Sequence, residues 1–231
     1  MISRPCYCIF KRMLVDKVNG IMYTKNAIKR QLKFTKGDLK RQMKLIIASN
    51  NKHKIYEIKK ILGEKFDEIL SLREAGIDHE TIEDGTTFME NAIKKAREIA
   101  EISGRYALAD DSGICCDALD GAPGIYSARF SGGTDEDNNA LLLEKLSDKD
   151  DKRAHYTCAM ALCSPTGELT LAEGYMYGTI TSERRGERGF GYDPLFIPVG
   201  ETRTVAEMTD EEKNAISHRA NALKLLLERL G

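Results

Sequence analysis

Several common signatures of metal, membrane and nucleotide sites are missing from this sequence. It has no Cys-x-x-Cys pair and only four histidines, a composition that argues against a zinc site. No apolar run approaches the roughly 20 residues of a membrane-spanning helix, so a transmembrane role is excluded. Neither a Walker sequence nor Gly-x-Gly-x-x-Gly is present, which excludes a P-loop and a Rossmann dinucleotide site. The N-terminal segment also lacks the apolar stretch and cleavage site of a secretory signal.

Charge is divided unevenly along the chain, although the formal net charge is only −1. Residues 1–42 contain 11 Lys and Arg against 2 Asp and Glu, which leaves 24 basic and 34 acidic residues in positions 43–231. An acidic body is a poor surface for nucleic acid, so we expect neither a nucleic-acid nor a membrane partner. We interpret residues 1–42 as a basic N-terminal extension upstream of a natural start at Met43. A nucleic-acid or membrane-surface tail is the alternative.

Four of the six cysteines lie in apolar, strand-like surroundings. They are Cys115, Cys116, Cys158 and Cys163. Cysteines in such places are typical of reduced thiols in a protein core. The sequence therefore predicts a cytoplasmic protein.

The apolar patterning predicts an α/β fold. The predicted strands are residues 44–49, 106–110, 153–163 and 169–181, the last two forming an antiparallel hairpin. The predicted helices are residues 54–62, residues 134–146, and two that follow the Thr87–Glu90 and Thr209–Glu212 capping boxes. Helices that alternate with early strands and are followed by a long hairpin indicate one mixed sheet, flanked by helices, with one cleft.

An acidic pair, Asp110 and Asp111, lies at the end of the predicted strand 106–110 and precedes Ser112 and Gly113. Two adjacent carboxylates in an apolar setting are costly unless a cation binds them. Mg²⁺ suits this need, because it binds one or two carboxylates and takes its other ligands from water and substrate phosphate. The alternative is a simple turn that ends the strand.

Five further segments occur in a characteristic order and spacing. Their ranges are 49–54, 87–92, 121–130, 189–194 and 216–219. Together with the acidic pair, they resemble the inosine triphosphate pyrophosphatase family from about Met43 to the C-terminus. The resemblance implies one α/β domain over 43–231, with an elongated, twisted mixed sheet and an active-site cleft between two lobes. It also implies a homodimer that uses Mg²⁺ to hydrolyse ITP, dITP and XTP to the monophosphate and pyrophosphate.

The resemblance assigns roles to individual residues. Glu83 and Asp111 would bind the metal, Asp111 would also activate water with assistance from Asp110, and Ser112 would contact a phosphate. Residues 49–54 would grip the triphosphate. The full implied set of substrate-binding residues is Ser49, Asn50, Asn51, Lys52, His53, Lys54, Ser112, Phe190, Gly191, Tyr192, Asp193, Lys213, His218 and Arg219.

The C-terminal segment is expected to read the purine base. On one unbroken helix Lys213 and His218 would lie about 140° apart, at roughly 100° per residue, so we expect a helix break near Ser217 that lets both reach the cleft. His218 and Arg219 can donate to a 6-keto oxygen, whereas the 6-amino group of adenine would leave them unpaired. Phe190 can stack on the purine.

Three other functions remain open at this point. A pyrophosphatase of related fold could act on modified pyrimidines, although the Ser-His-Arg sequence argues against it. A catalytically idle nucleotide sensor would not need the carboxylates Glu83 and Asp111. A nucleic-acid-binding module would depend on the basic extension and is disfavoured by the acidic body.

Overall fold

The chain divides into two units, Met1–Arg41 and Gln42–Gly231. The computed structural model describes residues 17–18, 21–22, 44–63 and 66–230. In the first unit, strand β1 (Lys17–Val18) pairs antiparallel with β2 (Ile21–Met22). The functional interpretation of residues 1–42 otherwise lies outside the described residues.

A mixed six-stranded sheet forms the frame of the second unit. Its strands are β3 (Lys44–Ile47), β4 (Glu68–Ser71), β5 (Tyr106–Cys116), β6 (Arg153–Cys163), β7 (Leu169–Ile180) and β8 (Phe196–Pro198). They lie in the order β4-β3-β5-β6-β7-β8. β3 pairs parallel with β4 and β5, and the pairs from β5 to β8 are antiparallel. The predicted α/β class and the antiparallel hairpin are confirmed.

Helices cover both faces of the sheet. They are α1 (Lys52–Leu62), α2 (Phe88–Ser103), α3 (Asp135–Leu146), α4 (Asp210–Ile216) and α5 (His218–Leu230). Both predicted capping boxes are present, at the starts of α2 and α4. The predicted break is also confirmed, because Ser217 has an extended ψ of 150° and its hydroxyl accepts from the Ala220 N–H at 3.1 Å. None of the helices in the described ranges is long and apolar enough to cross a membrane.

The central strand β6 separates two cores because its side chains alternate between the faces of the sheet. Cys158, Met160 and Leu162 pack with α1 and α5, whereas Ala159 and Ala161 pack against α2. The α2 surface is also built from alanines, at positions 92, 96 and 100. Small residues on both surfaces allow close approach, so polar side chains at the start of α2 reach the sheet.

The four cysteines beyond residue 114 are free thiols. Three are buried and Cys115 is half-buried. Burial raises the pKa of the Cys116 thiol to about 12, which keeps it protonated and unreactive at neutral pH.

Strand β5 differs most from its prediction. It was expected to end at Asp110, but it continues to Cys116 and pairs residue by residue with β6, Asp111 opposite Ala159 and Gly113 opposite Thr157. The polar sequence has the local character of a turn, and the long partner strand overrides that preference by satisfying the backbone hydrogen bonds. The acidic pair therefore lies inside a strand and does not terminate one.

The remaining differences are at element ends. α1 begins two residues before its predicted start, because the Asn51 side chain accepts from the N–H groups of His53 and Lys54 and caps the helix there. The short strands β4 and β8, at the two edges of the sheet, were not predicted.

Candidate functional site

A cleft of about 680 Å³ lies beyond the carboxyl end of β3. The β3–β5 ladder ends where Ile47 pairs with Leu108, and β5 continues for eight more residues. On that side of β5, the next pairing among the described residues is the bridge from Cys115 to Pro123. The gap places the cleft where open α/β sheets generally bind ligands, and its volume suits a small-molecule site.

Most of the residues predicted from the sequence meet in this cleft. It is lined by every predicted metal-binding and substrate-binding residue except Lys52. Lys52 is exposed at the start of α1, so its role in binding phosphate stays a prediction without support from its position.

Strand geometry separates the acidic pair into two environments. Successive side chains of a strand point to opposite faces, so Asp110 points towards α1 and α5, and Asp111 points towards α2. Asp110 accepts from Arg219 at 3.0 Å and pairs with Lys54 at 3.3 Å. Asp111 instead contacts Asn91 and Lys95 of α2. The two carboxylates therefore do not form one paired site.

On the Asp110 side, six side chains form a chain of alternating charge. In order of contact they are Lys54, Asp110, Arg219, Glu57, Lys213 and Asp193. Lys213 lies 2.7 Å from Glu57 and 2.6 Å from Asp193, and Arg219 also pairs directly with Glu57. The three acids and three bases balance, so no member of this chain is left as an uncompensated buried charge.

The charge chain sets the protonation of its members and of His218. Burial alone would raise the pKa of Asp110, but Lys54 and Arg219 hold it well below its usual range, so this carboxylate is ionised at neutral pH. Burial, together with the positive charges of Arg219 and Lys213, lowers the pKa of His218 well below its usual range. His218 is therefore neutral and donates from only one ring nitrogen.

On the α2 side, Lys95 holds two carboxylates together. Its Nζ lies 2.7 Å from Glu83 Oε1 and 3.4 Å from Asp111 Oδ1. Burial disfavours the charged ammonium, yet the carboxylates of Asp111, Asp110 and Glu83 raise the pKa of Lys95. Burial raises the pKa of Asp111, against the opposing effect of Lys95 and Lys54. A carboxylate with a raised pKa is better suited to accept a proton.

These two carboxylates fit the needs of a magnesium ion. Glu83 Oε1 and Asp111 Oδ1 both contact the same cationic group, Lys95 Nζ, so the two carboxylates lie on the same side of the cleft. No cluster of three or more His, Cys, Asp or Glu suited to a metal occurs in the described ranges. Two carboxylates, completed by water and substrate phosphate, are the usual protein contribution to bound Mg²⁺.

The segment after β3 caps helix α1 and brings a lysine to the cleft. The amide oxygen of Asn51 is engaged in capping α1, and the Ser49 hydroxyl accepts from the Asn51 N–H at 3.2 Å. Lys54, in the first turn of α1, points back to Asp110. Lys54 and Lys95 thus approach the cleft from different helices, a suitable arrangement for a polyanionic ligand.

Phe190 also lines the cleft. The imidazole of His53 stacks on its ring, with centroids 5.0 Å apart and 16° between the planes. The Lys213 ammonium lies 4.7 Å from the ring centroid. The Phe190 N–H donates to Asp193 at 3.0 Å, so the charge chain also fixes this loop.

Two other members of the 189–193 loop are tied to neighbouring elements. The Gly191 N–H donates to Asp135 at 2.8 Å, at the start of α3. Gly191 has a φ of 60°, in the left-handed region that favours glycine. The Tyr192 hydroxyl donates to the Ser127 carbonyl at 2.9 Å, and its ring is buried. Both contacts fix the loop that carries Phe190.

Arg219 and His218, the pair predicted to read the base, make different contacts. Both terminal nitrogens of Arg219 are engaged, one by Glu57 and the other by Asp110 and Ser112. His218 stacks on Tyr156 at 4.7 Å, and its Nδ1 has no hydrogen-bond partner among the described residues. Arg219 Nε also has no hydrogen-bond partner among the described residues, so the expectation that both residues offer donors to a ligand stays a prediction.

Three residues of the site were missed in the sequence. Glu57 lies one helical turn after Lys54, and Asn91 and Lys95 lie one turn apart on α2. Each is a buried polar residue beside apolar positions, which is the pattern that could have revealed them. A polar residue within an apolar helical stripe indicates a buried contact, but the sequence does not identify its partner.

Comparison with known proteins places the chain in a defined group. A profile of the Ham1 family matches residues 45–229. A dITP/XTP pyrophosphatase of Clostridium perfringens is 51% identical over 197 residues, covering 81% of this chain and 97% of that protein. The solved structure of the Staphylococcus aureus Ham1 protein superposes with a TM-score of 0.74 at 40% identity, covering 81% of this chain and 97% of that one.

A second solved structure agrees with these matches. It is described as a nucleoside-triphosphatase / dITP/XTP pyrophosphatase from Mycobacterium abscessus, with a TM-score of 0.66 at 44% identity, covering 80% of this chain and 99% of that one. The resemblance noted in the sequence is confirmed.

Replacing Arg219 tests the charge chain. Arg219→Met keeps much of the side-chain volume but leaves Asp110 and Glu57 buried without their shared cation. We expect the free energy of unfolding, measured by urea titration, to fall by about 3–5 kcal/mol. Lys224→Met on the exposed face of the same helix is the control and should change it by no more than about 0.5 kcal/mol. An equally small change for Arg219→Met would show that the buried chain is not needed for stability.

Proposed function

Because the chain belongs to the Ham1 family, we propose that it hydrolyses the non-standard purine nucleoside triphosphates ITP, dITP and XTP with the help of Mg²⁺. The enzyme is a nucleoside triphosphate pyrophosphatase. Water cleaves the bond between the α and β phosphates, giving the nucleoside monophosphate and pyrophosphate. The observation that carries the proposal is that Glu83 Oε1 and Asp111 Oδ1 both contact Lys95 in the cleft that also contains Phe190 and His218.

The α2 side of the cleft would hold the reacting groups. Glu83 and Asp111 are the residues that would bind Mg²⁺, which when bound neutralises charge on the phosphates and so lowers the barrier to displacement. Asp111 is also the residue that would orient the attacking water and accept its proton. Lys95 remains beside both carboxylates and limits their mutual repulsion.

The phosphate groups would be bound by the lysines that approach the cleft. Lys54 and Lys95 each contact a carboxylate in the protein. A triphosphate can share these cations without leaving a buried charge uncompensated. Ser112, whose hydroxyl lies 3.1 Å from Asp110, is placed to contact the same phosphates.

In the same cleft, Phe190 would stack on the purine and His218 would read position 6. The neutral imidazole donates one hydrogen bond to a keto oxygen, and an amino group at this position cannot accept it. Arg219 supports this reading by fixing the start of α5, on which His218 lies. The His53 ring, now stacked on Phe190, moves aside or stacks on the other face of the base.

The wider setting of the reaction is part of the proposal. We propose a pyrophosphatase domain over residues 43–231 with residues 1–42 as an extension outside it, and a homodimer that acts in the cytoplasm without nucleic-acid or membrane partners. The match of the family profile to residues 45–229 supports the domain division, and the core cysteines support the location.

The enzymatic reading is tested with Asp111→Asn. Purified protein is incubated with each nucleoside triphosphate and Mg²⁺, and pyrophosphate release is measured. The unchanged protein should release pyrophosphate from ITP, dITP and XTP, and Asp111→Asn should lower turnover by about 10²–10⁴-fold, the usual contribution of a general base. Asp148→Asn, on the exposed surface after α3, is the control. A protein that binds these nucleotides but releases no pyrophosphate would instead be a nucleotide sensor.

Base selection is tested with His218→Phe, which keeps an aromatic ring on Tyr156 but removes the ring nitrogens. Loss of one buried hydrogen bond costs about 1–3 kcal/mol, so kcat/KM for ITP should fall about 5–150-fold while kcat/KM for ATP changes little. His155→Phe, on the outer face of β6, should leave the ratio unaltered. If His218→Phe lowers kcat/KM for ITP and for ATP by the same factor, His218 does not read position 6.

The domain division is tested with a shortened chain that begins at Met43. The first strand of the sheet starts at Lys44, so we expect this chain to keep the melting temperature and kcat/KM of the full one. A large loss of either quantity would assign residues 1–42 a part in folding or in substrate binding.

A further inference from the structure

Asn91 is a buried amide in the first turn of α2, with only 1% of its surface exposed. Its side chain makes two hydrogen bonds to separate parts of the site. Nδ2 donates to Asp111 Oδ2 at 3.0 Å, and Oδ1 accepts from the Gly85 N–H at 2.8 Å. Gly85 belongs to the loop before α2, two residues after Glu83. One amide thus connects the segments that carry the two metal-binding carboxylates.

The partners fix the orientation of this amide. An ionised carboxylate only accepts hydrogen bonds and a peptide N–H only donates them. Turning the amide over would therefore set an oxygen against the Asp111 carboxylate and an NH₂ group against the Gly85 N–H. Both contacts would be lost, so only the observed orientation satisfies all three groups.

The bridge also determines which oxygen of Asp111 is free. Because Oδ2 is bound by Asn91, Oδ1 faces Lys95, the residue that also contacts Glu83 Oε1. At the other end, a Cβ on Gly85 would lie 2.6 Å from Asn91 Oδ1 and 2.9 Å from the Cβ of Glu90. The loop can approach Asn91 this closely only with glycine at position 85.

Helix capping does not explain the buried amide. The Thr87–Glu90 capping box already satisfies the N-terminus of α2, through Glu90 N–H to Thr87 Oγ1 at 3.1 Å and Thr87 N–H to Glu90 at 3.2 Å. A buried amide costs free energy unless it is fully paired. The hydrogen bonds to Asp111 and to the Gly85 N–H offset this cost, and both partners lie in segments that carry the candidate metal-binding carboxylates.

We propose that Asn91 is the positioning residue of the metal site, which holds the Glu83 loop and the Asp111 carboxylate in fixed relation, so that Oε1 and Oδ1 both face Lys95. This inference rests on the proposed function, because that function assigns Glu83 and Asp111 to the metal. Asn91 itself is not among the residues that line the cleft. Its effect is exerted through the two groups to which it is bonded.

Two substitutions at position 91 separate the ends of the bridge. Asn91→Leu has a similar size and removes both hydrogen bonds. Asn91→Asp keeps an acceptor for the Gly85 N–H but places a second carboxylate against Asp111. Asn138→Leu is the matched control, because Asn138 is also a buried helical amide, 2% exposed, and its partners are Ser131 and the Ala128 carbonyl, not Asp111 or Gly85.

Three quantities are measured on the full chain: the Mn²⁺ dissociation constant by electron paramagnetic resonance, the exchange rate of the Gly85 amide hydrogen by NMR, and kcat and KM for dITP. Loss of a group that orients a metal ligand typically weakens metal binding by about 10–100-fold. We expect that loss, and a fall in kcat larger than the change in KM, in both position-91 variants. Gly85 exchange should accelerate in Asn91→Leu and stay slow in Asn91→Asp. Asn138→Leu should keep the Mn²⁺ affinity.

The outcomes separate this inference from the proposed function. Suppose that the unchanged protein binds Mn²⁺ and cleaves dITP. If both variants then match its Mn²⁺ dissociation constant and its kcat within twofold, the positioning role is wrong and the function stands. If the unchanged protein neither binds Mn²⁺ nor cleaves dITP, the function is wrong and the metal-positioning role is wrong with it. Should Asn91→Leu fail to fold, the Mn²⁺ affinity of Asn91→Asp decides. Gly85→Ala gives a second test, because its added Cβ would push the Gly85 loop away from Asn91. In either variant, an Mn²⁺ affinity within twofold of the unchanged protein would show that the positioning role is wrong.

Discussion

The walls of the cleft are held by the alternating chain of charges that begins at Lys54 and ends at Asp193. Its members come from α1, β5, α4, α5 and the 189–193 loop, which are distant in sequence. Desolvation costs several kcal/mol per buried ion, and this cost is offset only when each charge keeps its neighbours. The chain is therefore a constraint on geometry more than a source of stability. The relative positions of these five elements are fixed because any displacement would expose a buried charge to an apolar environment.

Strand β5 places two adjacent aspartates in different environments. The two-residue period sends Asp110 into the charge chain and Asp111 to the α2 side. Asp110 is held ionised by Lys54 and Arg219, which suits a permanent structural charge. Burial instead raises the pKa of Asp111. The same residue type thus has opposite electrostatic behaviour at neighbouring positions, and the cause is the face of the sheet.

The cleft contains lysines that are already paired with carboxylates. Lys54, Lys95 and Lys213 line it, and each contacts at least one carboxylate. A polyanionic substrate binds to such a surface by sharing lysines that are already positioned, so little side-chain entropy is lost on binding. Small alanines between α2 and the sheet contribute to the same end, because they let Asn91 and Lys95 reach β5.

Local signals in the sequence were sufficient for much of this architecture. The capping boxes at Thr87 and Thr209 depend on residues three apart, and the break at Ser217 follows from the angular spacing of a helix. The order of the motifs indicated the family. The extension of β5 past Asp110 was decided by pairing with β6, about fifty residues away, and the same ladder separated Asp110 from Asp111. Glu57, Asn91 and Lys95 took their roles only from partners brought near by the fold. A sequence determines which segments form and which chemistry they carry, whereas long-range pairing decides which faces, and therefore which charges, meet.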